Sequence, residues 1–291
     1  GNFTNELLMG TINTDLANTL GNLVSRTVAM NQKYFGGTLP EGCGATEDEL
    51  YLADLVRAGN QVVLTPTGDT VDPVLYDAQL VAMVAGLRRA YEDQMESCAP
   101  HNALAEVFKV IQRANKYIDE TAPWVLGKDV EANGDRLATV LYNLLETTRI
   151  CGILLIPFMP ESMEKLFVQI GAEAVQQTWD AANVWGALSD IATVTKGENL
   201  FPRIDMEKAI AELEAAAEAA RKALLLEQRA QLEKRIAFRR AMKLAIGILQ
   251  LIVLIAKPFF NPFVFAIGIV TLGSDMALIS GDPGSRIDAG F

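Results

Sequence analysis

The sequence predicts an all-α fold: a helical bundle, followed by a long charged helix and an apolar helical hairpin. Three observations predict it. Apolar residues recur at helical spacing through most of residues 1–205. Residues 206–242 are rich in Ala, Glu, Lys, Arg and Leu, which are strong helix formers. The sequence contains neither a strand–helix alternation nor a glycine-rich phosphate-binding motif.

The first helix of the bundle is predicted within residues 13–35. Apolar side chains recur there three or four positions apart, at Leu16, Leu20 and Leu23. A stretch rich in Gly, "GGTLPEGCG", ends this helix. Thr46 precedes an acidic turn and is predicted to cap a short second helix. The turn-rich stretch that follows, residues 57–73, is predicted to be an ordered loop or a hairpin.

Two more helices are predicted in residues 74–96 and 102–121. The second has one apolar face, formed by Leu104, Val107, Phe108, Ile111 and Ile118. The stretch "GKDVEANGDR" that follows, with two glycines and several polar residues, predicts a break.

The most apolar part of the bundle is predicted in residues 137–171. Proline lacks a backbone N–H and clashes with the preceding turn, so Pro157 and Pro160 should divide this run into two helices. Residues 179–205 show a less regular spacing of apolar residues. Because the connections are short, the whole indicates a bundle of about five helices over residues 1–205.

Beyond the bundle, residues 206–242 are predicted to form a charged connecting helix, with a short coiled coil as the alternative. Residues 243–280 are predicted to be an apolar hairpin or a membrane-associated segment, and residues 281–291 a flexible tail.

The apolar core of this segment begins at Leu244 and ends at Gly273, and Lys257 is its one charged residue. Each half is shorter than the roughly 20 residues that a bilayer span requires. The segment could therefore enter one leaflet of a membrane, span it with a kink, pack against a partner helix, or pack on the bundle. A segment without any function is a further possibility.

The charge and the reactive residues favour a binding protein over an enzyme. Residues 1–205 contain 14 Lys and Arg against 27 Asp and Glu, a net charge of −13, which argues against general wrapping of nucleic acid. His101 is the only histidine, and three widely spaced cysteines match neither a metal site nor a disulfide framework. The residues therefore suggest no catalytic group and no metal site.

Four stretches, in order, carry a resemblance to a known family: "INTDLANTLGNLVSRTVAMNQKYFGGTLP", "RANKYIDETAPWVLGKD", "LATVLYNLLETTRICGILLIPFMPESMEKLFVQIG" and "ENLFPRID". Together they closely resemble the anticodon-binding domain of bacterial methionyl-tRNA synthetases, over residues 1 to about 210. The resemblance implies a bundle of the class I synthetase anticodon-binding type that recognises the CAU anticodon of tRNA(Met).

The resemblance also implies three anticodon-binding residues. In that family the Asn and Arg of "NLxSR" contact anticodon bases and the Trp of "APW" stacks on one, which corresponds here to Asn22, Arg26 and Trp124. Asn22 and Arg26 are four residues apart and so share one helix face. Taken without the resemblance, Trp124 would more simply be a packing or capping aromatic residue.

The chain differs from the family in one respect that bears on its activity. The ATP-using catalytic domain of the family, with its HIGH and KMSKS signatures, is not present, so we expect a fragment that does not ligate methionine to tRNA alone and holds no cofactor. The family also implies a cytoplasmic protein. The alternative is a membrane-associated or assembly protein in which the bundle is a scaffold and the apolar tail is the working part.

Overall fold

Helices form nearly all of the regular structure in the computed structural model, which describes residues 3–65, 72–189 and 191–256. The α-helices are α1 (Asn5–Thr11), α2 (Asn22–Phe35), α3 (Glu47–Arg57), α4 (Pro73–Glu96), α5 (Pro100–Thr121), α6 (Pro123–Leu126), α7 (Val130–Leu155), α8 (Pro160–Ile170) and α9 (Met206–Ala256), and two short 3-10 helices, Ala174–Gln177 and Asp180–Asn183, follow α8. Within the described ranges, strand pairing is limited to one isolated bridge between Thr38 and Thr193. The predicted all-α fold is confirmed.

Local side-chain hydrogen bonds explain where several helices begin. The Thr46 hydroxyl accepts from the Glu49 N–H at 3.3 Å, and the Glu49 carboxylate accepts from the Thr46 N–H at 2.9 Å. This reciprocal pair satisfies two donors that would otherwise be unpaired at the start of α3, and it confirms the predicted cap. Asp72 caps α4 in a similar way by accepting from the Val74 N–H at 3.0 Å.

The first predicted helix is present but is not regular throughout. A π-helical segment, Ile12–Gly21, lies between α1 and α2 and has a wider turn than an α-helix. Spacing alone did not distinguish this segment from the helix around it. It ends directly before Asn22, the first of the predicted site residues.

The central helix of the bundle is α7, and its residues from Leu137 to Leu155 are nearly all buried. The predicted break over residues 127–136 is wrong from Val130 onward, because α7 already begins there. Its start is capped by Asp129, which accepts from the Ala132 N–H at 3.0 Å. The predicted division at the prolines is confirmed, since α7 ends at Leu155 and α8 begins at Pro160.

A fully buried ion pair lies inside this core. Arg149 donates two hydrogen bonds to Glu146, at 2.6 and 2.7 Å, and neither side chain is exposed to solvent. The guanidinium also donates to three backbone carbonyls, those of Gln176, Ala181 and Val184. Every N–H group of the buried guanidinium therefore has a hydrogen-bond acceptor. The pair attaches the irregular segment after α8, residues 171–189, to α7.

The chain divides into two compact units, Gly1–Ala211 and Glu212–Phe291. The first contains the bundle. The described part of the second is the greater part of α9, whose side chains are almost all exposed beyond residue 211. α9 continues without interruption past residue 243. Among the described helices, none has the length and apolarity needed to cross a membrane. The remainder of the predicted apolar hairpin and the flexible tail fall outside the described residues.

The three cysteines should differ sharply in reactivity. Cys98 is exposed, whereas Cys43 and Cys151 are buried, and burial raises the pKa of the Cys151 thiol to about 12. At pH 8 its thiolate fraction is therefore on the order of 1 in 10,000. In the native protein we expect iodoacetamide to modify Cys98 and leave Cys151 intact, as followed by peptide mass spectrometry, with all three modified in denaturant. Labelling of native Cys151 within tenfold of the Cys98 rate would contradict this.

Candidate nucleic-acid interface

Trp124 lies at a sharp corner between two helices. α5 ends at Thr121, and Ala122 has φ of 43° and ψ of 58°, in the left-handed region that non-glycine residues rarely adopt. Pro123 then begins α6, and the Val125 N–H donates to the Ala122 carbonyl at 2.7 Å. The corner buries Pro123 and leaves Trp124 43% exposed. The indole is therefore presented outward, not packed in the core.

The end of this corner, at Gly127, packs against Tyr34 of α2. The Tyr34 ring packs so closely on Gly127 that any side chain at position 127 would collide with it. Tyr34 is itself partly buried against the core, and the Lys33 ammonium lies 4.9 Å from the centre of its ring. The corner therefore packs closely on α2 at Gly127, while α6 itself packs on α7.

Arg26 connects Trp124 to the neighbouring helices. Its guanidinium lies 5.9 Å from the centre of the Trp124 ring and donates a hydrogen bond to Asp119 at 3.0 Å. A guanidinium within about 6 Å of an indole gains from the negative face of the ring. Its side chain stays 31% exposed. The planar guanidinium is thus aligned by a carboxylate and an aromatic ring at once.

Asn22 is the first residue of α2 and is exposed. It lies four residues before Arg26, about 6 Å along the helix axis. Its side chain lines a groove of about 420 Å³, whose other lining residues are Ala17, Asn18, Gly21, Ser25, Asn199, Leu200, Phe201 and Arg203. The structure therefore brings Arg26 and Trp124 into contact, and places Asn22 one helical turn away at the edge of a polar groove.

Two asparagines hold the π-helical segment that precedes Asn22. Asn13 exchanges two hydrogen bonds with the backbone of Ile204, at 2.9 and 2.8 Å. Asn115 of α5 donates to the Thr19 carbonyl at 3.1 Å. The Asn13 contacts attach Ile204 to this segment, and residues 199–203 lie along the start of α2. The stretch "ENLFPRID" thus forms one wall of the Asn22 groove, a position that the sequence alone does not indicate.

The end of α5 is tied to α4 and α7 by a buried polar cluster. The Tyr117 hydroxyl donates to Asp77 at 2.6 Å, and Arg136 forms an ion pair with the same carboxylate. Burial and the neighbouring Asp77 charge raise the pKa of Tyr117 well above its ordinary value. Arg113, also on α5, bonds Glu120 at 2.7 Å and is mostly buried, so its charge is used within the bundle.

What this surface could do follows from the residues it combines. An exposed indole offers a flat face for stacking, a guanidinium offers hydrogen-bond donors, and an amide offers both a donor and an acceptor. In the part of the chain that the structure describes, no group of three or more His, Cys, Asp or Glu side chains could hold a metal ion. The arrangement suits recognition of an unpaired, planar, hydrogen-bonding ligand.

Comparisons with known proteins point the same way. Residues 66–221 match the family described as the anticodon binding domain of methionyl tRNA ligase. Methionine–tRNA ligase of Caldanaerobacter subterraneus subsp. tengcongensis is 43% identical over 218 residues, which are 75% of this chain and 30% of that protein. The Bacillus subtilis (strain 168) enzyme is 39% identical over 212 residues, 72% of this chain and 28% of that protein.

A solved structure supports the fold match. Mycobacterium tuberculosis methionyl-tRNA synthetase in complex with methionyl-adenylate aligns with a TM-score of 0.54 and 31% identity, over 69% of this chain and 34% of that one. The chain thus spans about 30% of the length of the curated relatives it matches.

Proposed function

Because the chain belongs to the family of methionyl-tRNA ligase anticodon-binding domains, we propose that its bundle binds tRNA(Met) through the CAU anticodon. Asn22, Arg26 and Trp124 are the proposed contacting residues. The observation that carries the proposal is the exposed Trp124 ring with the Arg26 guanidinium beside it.

Each of the three residues has a distinct proposed role. Trp124 stacks on an unpaired base, a contact that typically contributes about 1–3 kcal/mol. Arg26, held by Asp119, offers its remaining N–H groups to a base edge or a phosphate. Asn22 offers a donor and an acceptor together, which matches the edge of a base that presents both.

The charge of the bundle is consistent with recognition of a few bases. With a net charge of −13 over residues 1–205, this part of the chain cannot gain much from displacing counterions along a helix backbone. Affinity must therefore come mainly from stacking and from hydrogen bonds to base edges. Such an interface favours a short single-stranded loop over a duplex.

The relatives are methionine–tRNA ligases, and the chain covers about 30% of their length. We propose that the bundle works as the tRNA-selecting part of such a ligase, in the cytoplasm. Activation of methionine with ATP and its transfer to tRNA would belong to a separate catalytic part. Nothing in the comparisons supports the alternative in which the bundle is only a scaffold.

A direct test uses the full chain and short RNA hairpins. We expect a hairpin with a CAU loop to bind at least tenfold more tightly than one in which only the first anticodon base is changed. Isothermal titration calorimetry at fixed salt would give both affinities. Asn22→Ala should reduce this discrimination, whereas Asn102→Ala, at an exposed asparagine on α5, should preserve it. Equal binding of the two hairpins would refute anticodon recognition.

A further inference from the structure

The C-terminal end of α9 exposes apolar side chains on every side. Residues 244–256 carry no charge, and Leu244, Leu254 and Ile255 are 69, 68 and 67% exposed. The other large apolar side chains exposed in this stretch are Ile246, Ile248, Leu249, Leu251 and Ile252. So much uncovered apolar surface on one helix end requires an environment that removes it from water.

The distribution of these side chains around the helix distinguishes a single partner helix from a protein core or a lipid phase as that environment. At 100° per residue, Leu244, Ile248 and Ile255 face one direction, whereas Leu249 and Leu254 face directions more than about 80° away on either side. A single partner helix covers a narrow stripe. A helix that is apolar all round is suited to a protein core or to lipid.

A strongly basic stretch of α9 comes directly before this apolar end. Residues 221–243 contain eight Lys and Arg against two Glu, a net charge of +6, in a chain whose total is −11. Nearest the apolar end are Arg235, Arg239, Arg240 and Lys243, all exposed. The interior of a protein partner would not explain this adjacent charge, whereas an anionic lipid surface would attract it.

We infer that the C-terminal end of α9 binds an anionic lipid surface. The basic residues lie among the headgroups, and residues 244–256 enter the acyl region of one leaflet. Thirteen helical residues extend about 20 Å, which is less than the hydrocarbon thickness of about 30 Å, so this part of the helix enters without crossing. The inference goes beyond tRNA recognition, because it gives the chain an attachment site in its second unit.

Vesicle flotation with the full chain tests the inference. We expect the chain to float with vesicles of phosphatidylcholine and phosphatidylglycerol and to bind pure phosphatidylcholine vesicles at least tenfold more weakly. Added salt should weaken binding to the anionic vesicles. A variant with four changes, Arg235→Gln, Arg239→Gln, Arg240→Gln and Lys243→Gln, should bind the anionic vesicles at least tenfold more weakly, because it loses the basic side chains that the anionic surface attracts.

A matched control removes the same charge from the bundle. Its four changes, at exposed positions, are Arg89→Gln, Lys109→Gln, Lys165→Gln and Lys196→Gln. This variant should float as the unchanged chain does, and Ile248→Asp combined with Leu254→Asp should not float. All α9 variants should keep their affinity for the CAU hairpin, so the two proposals can fail separately.

Three results would overturn the inference. One is an absence of flotation with anionic vesicles. Another is flotation that is equal with anionic and neutral vesicles and is unchanged by the four α9 substitutions. The third is a stable oligomer in lipid-free buffer that does not float, because a protein partner would then cover the apolar end.

Discussion

Trp124→Ala should weaken binding of the CAU hairpin by at least tenfold while leaving the fold intact. Loss of one stacked base costs about 1–3 kcal/mol, and 1.4 kcal/mol corresponds to a factor of ten. The substitution also removes the ring beside which the Arg26 guanidinium is aligned. Because the side chain is 43% exposed, little core packing is lost. Calorimetric titration gives the affinity, and circular dichroism with a thermal melt checks the fold.

The chain offers a second tryptophan as a control. Trp179 is exposed to a similar degree, 38%, but it packs on Tyr91 and Arg88 and donates a hydrogen bond to Glu92. Trp179→Ala should therefore affect stability more than hairpin affinity. Trp124→Phe should retain part of the affinity, since a smaller ring still stacks. Equal affinities of the unchanged chain and Trp124→Ala would exclude the stacking role.

Arg149→Met should destabilise the bundle more than any surface substitution. The change leaves the Glu146 carboxylate buried without its counter-ion and removes the donor from three backbone carbonyls. Breaking a buried ion pair by removing one partner typically costs about 3–5 kcal/mol. Chemical denaturation monitored by circular dichroism gives the change in the free energy of unfolding.

An exposed ion pair provides the comparison. Lys109 pairs with Glu106 at 2.6 Å on the surface of α5, and Lys109→Met should cost about 1 kcal/mol or less. Combining Arg149→Met with Glu146→Leu should not restore full stability, because the carbonyls and the N–H groups of Ala187 and Leu188 would still lack partners. A cost below about 1 kcal/mol for Arg149→Met would show that the irregular segment after α8 does not depend on this pair.

The parts of the fold that follow local rules were predictable from the sequence. Thr46 and the two prolines act through hydrogen bonds and steric effects within a few residues, so their helix boundaries were identified. The π-helical segment could not be predicted from local spacing, and the contacts that hold it, from Asn13 and Asn115, join residues far apart in the sequence. The buried Glu146–Arg149 pair was missed for a similar reason, since its partners lie 27 to 42 residues away.

The candidate site also depends on contacts between residues that are distant in the sequence. Residue types alone favoured a packing role for Trp124, and its assignment to RNA binding came from the resemblance to the synthetase family. No spacing rule indicates that Arg26 and Trp124 touch, because they are separated by three helices in sequence. Their contact depends on the positive φ of Ala122, which a sequence pattern with an ordinary alanine does not reveal.

The corner at Ala122 has a consequence for how quickly a base can be captured. With α5, Pro123 and Tyr34 immobilising the backbone around it, the indole retains only its two side-chain torsions before RNA arrives. Docking a nucleotide then freezes little additional motion in the protein, so most of the ordering on encounter takes place in the RNA loop. The binding rate should accordingly be set by how often the loop exposes its bases, with the protein acting as a preformed platform.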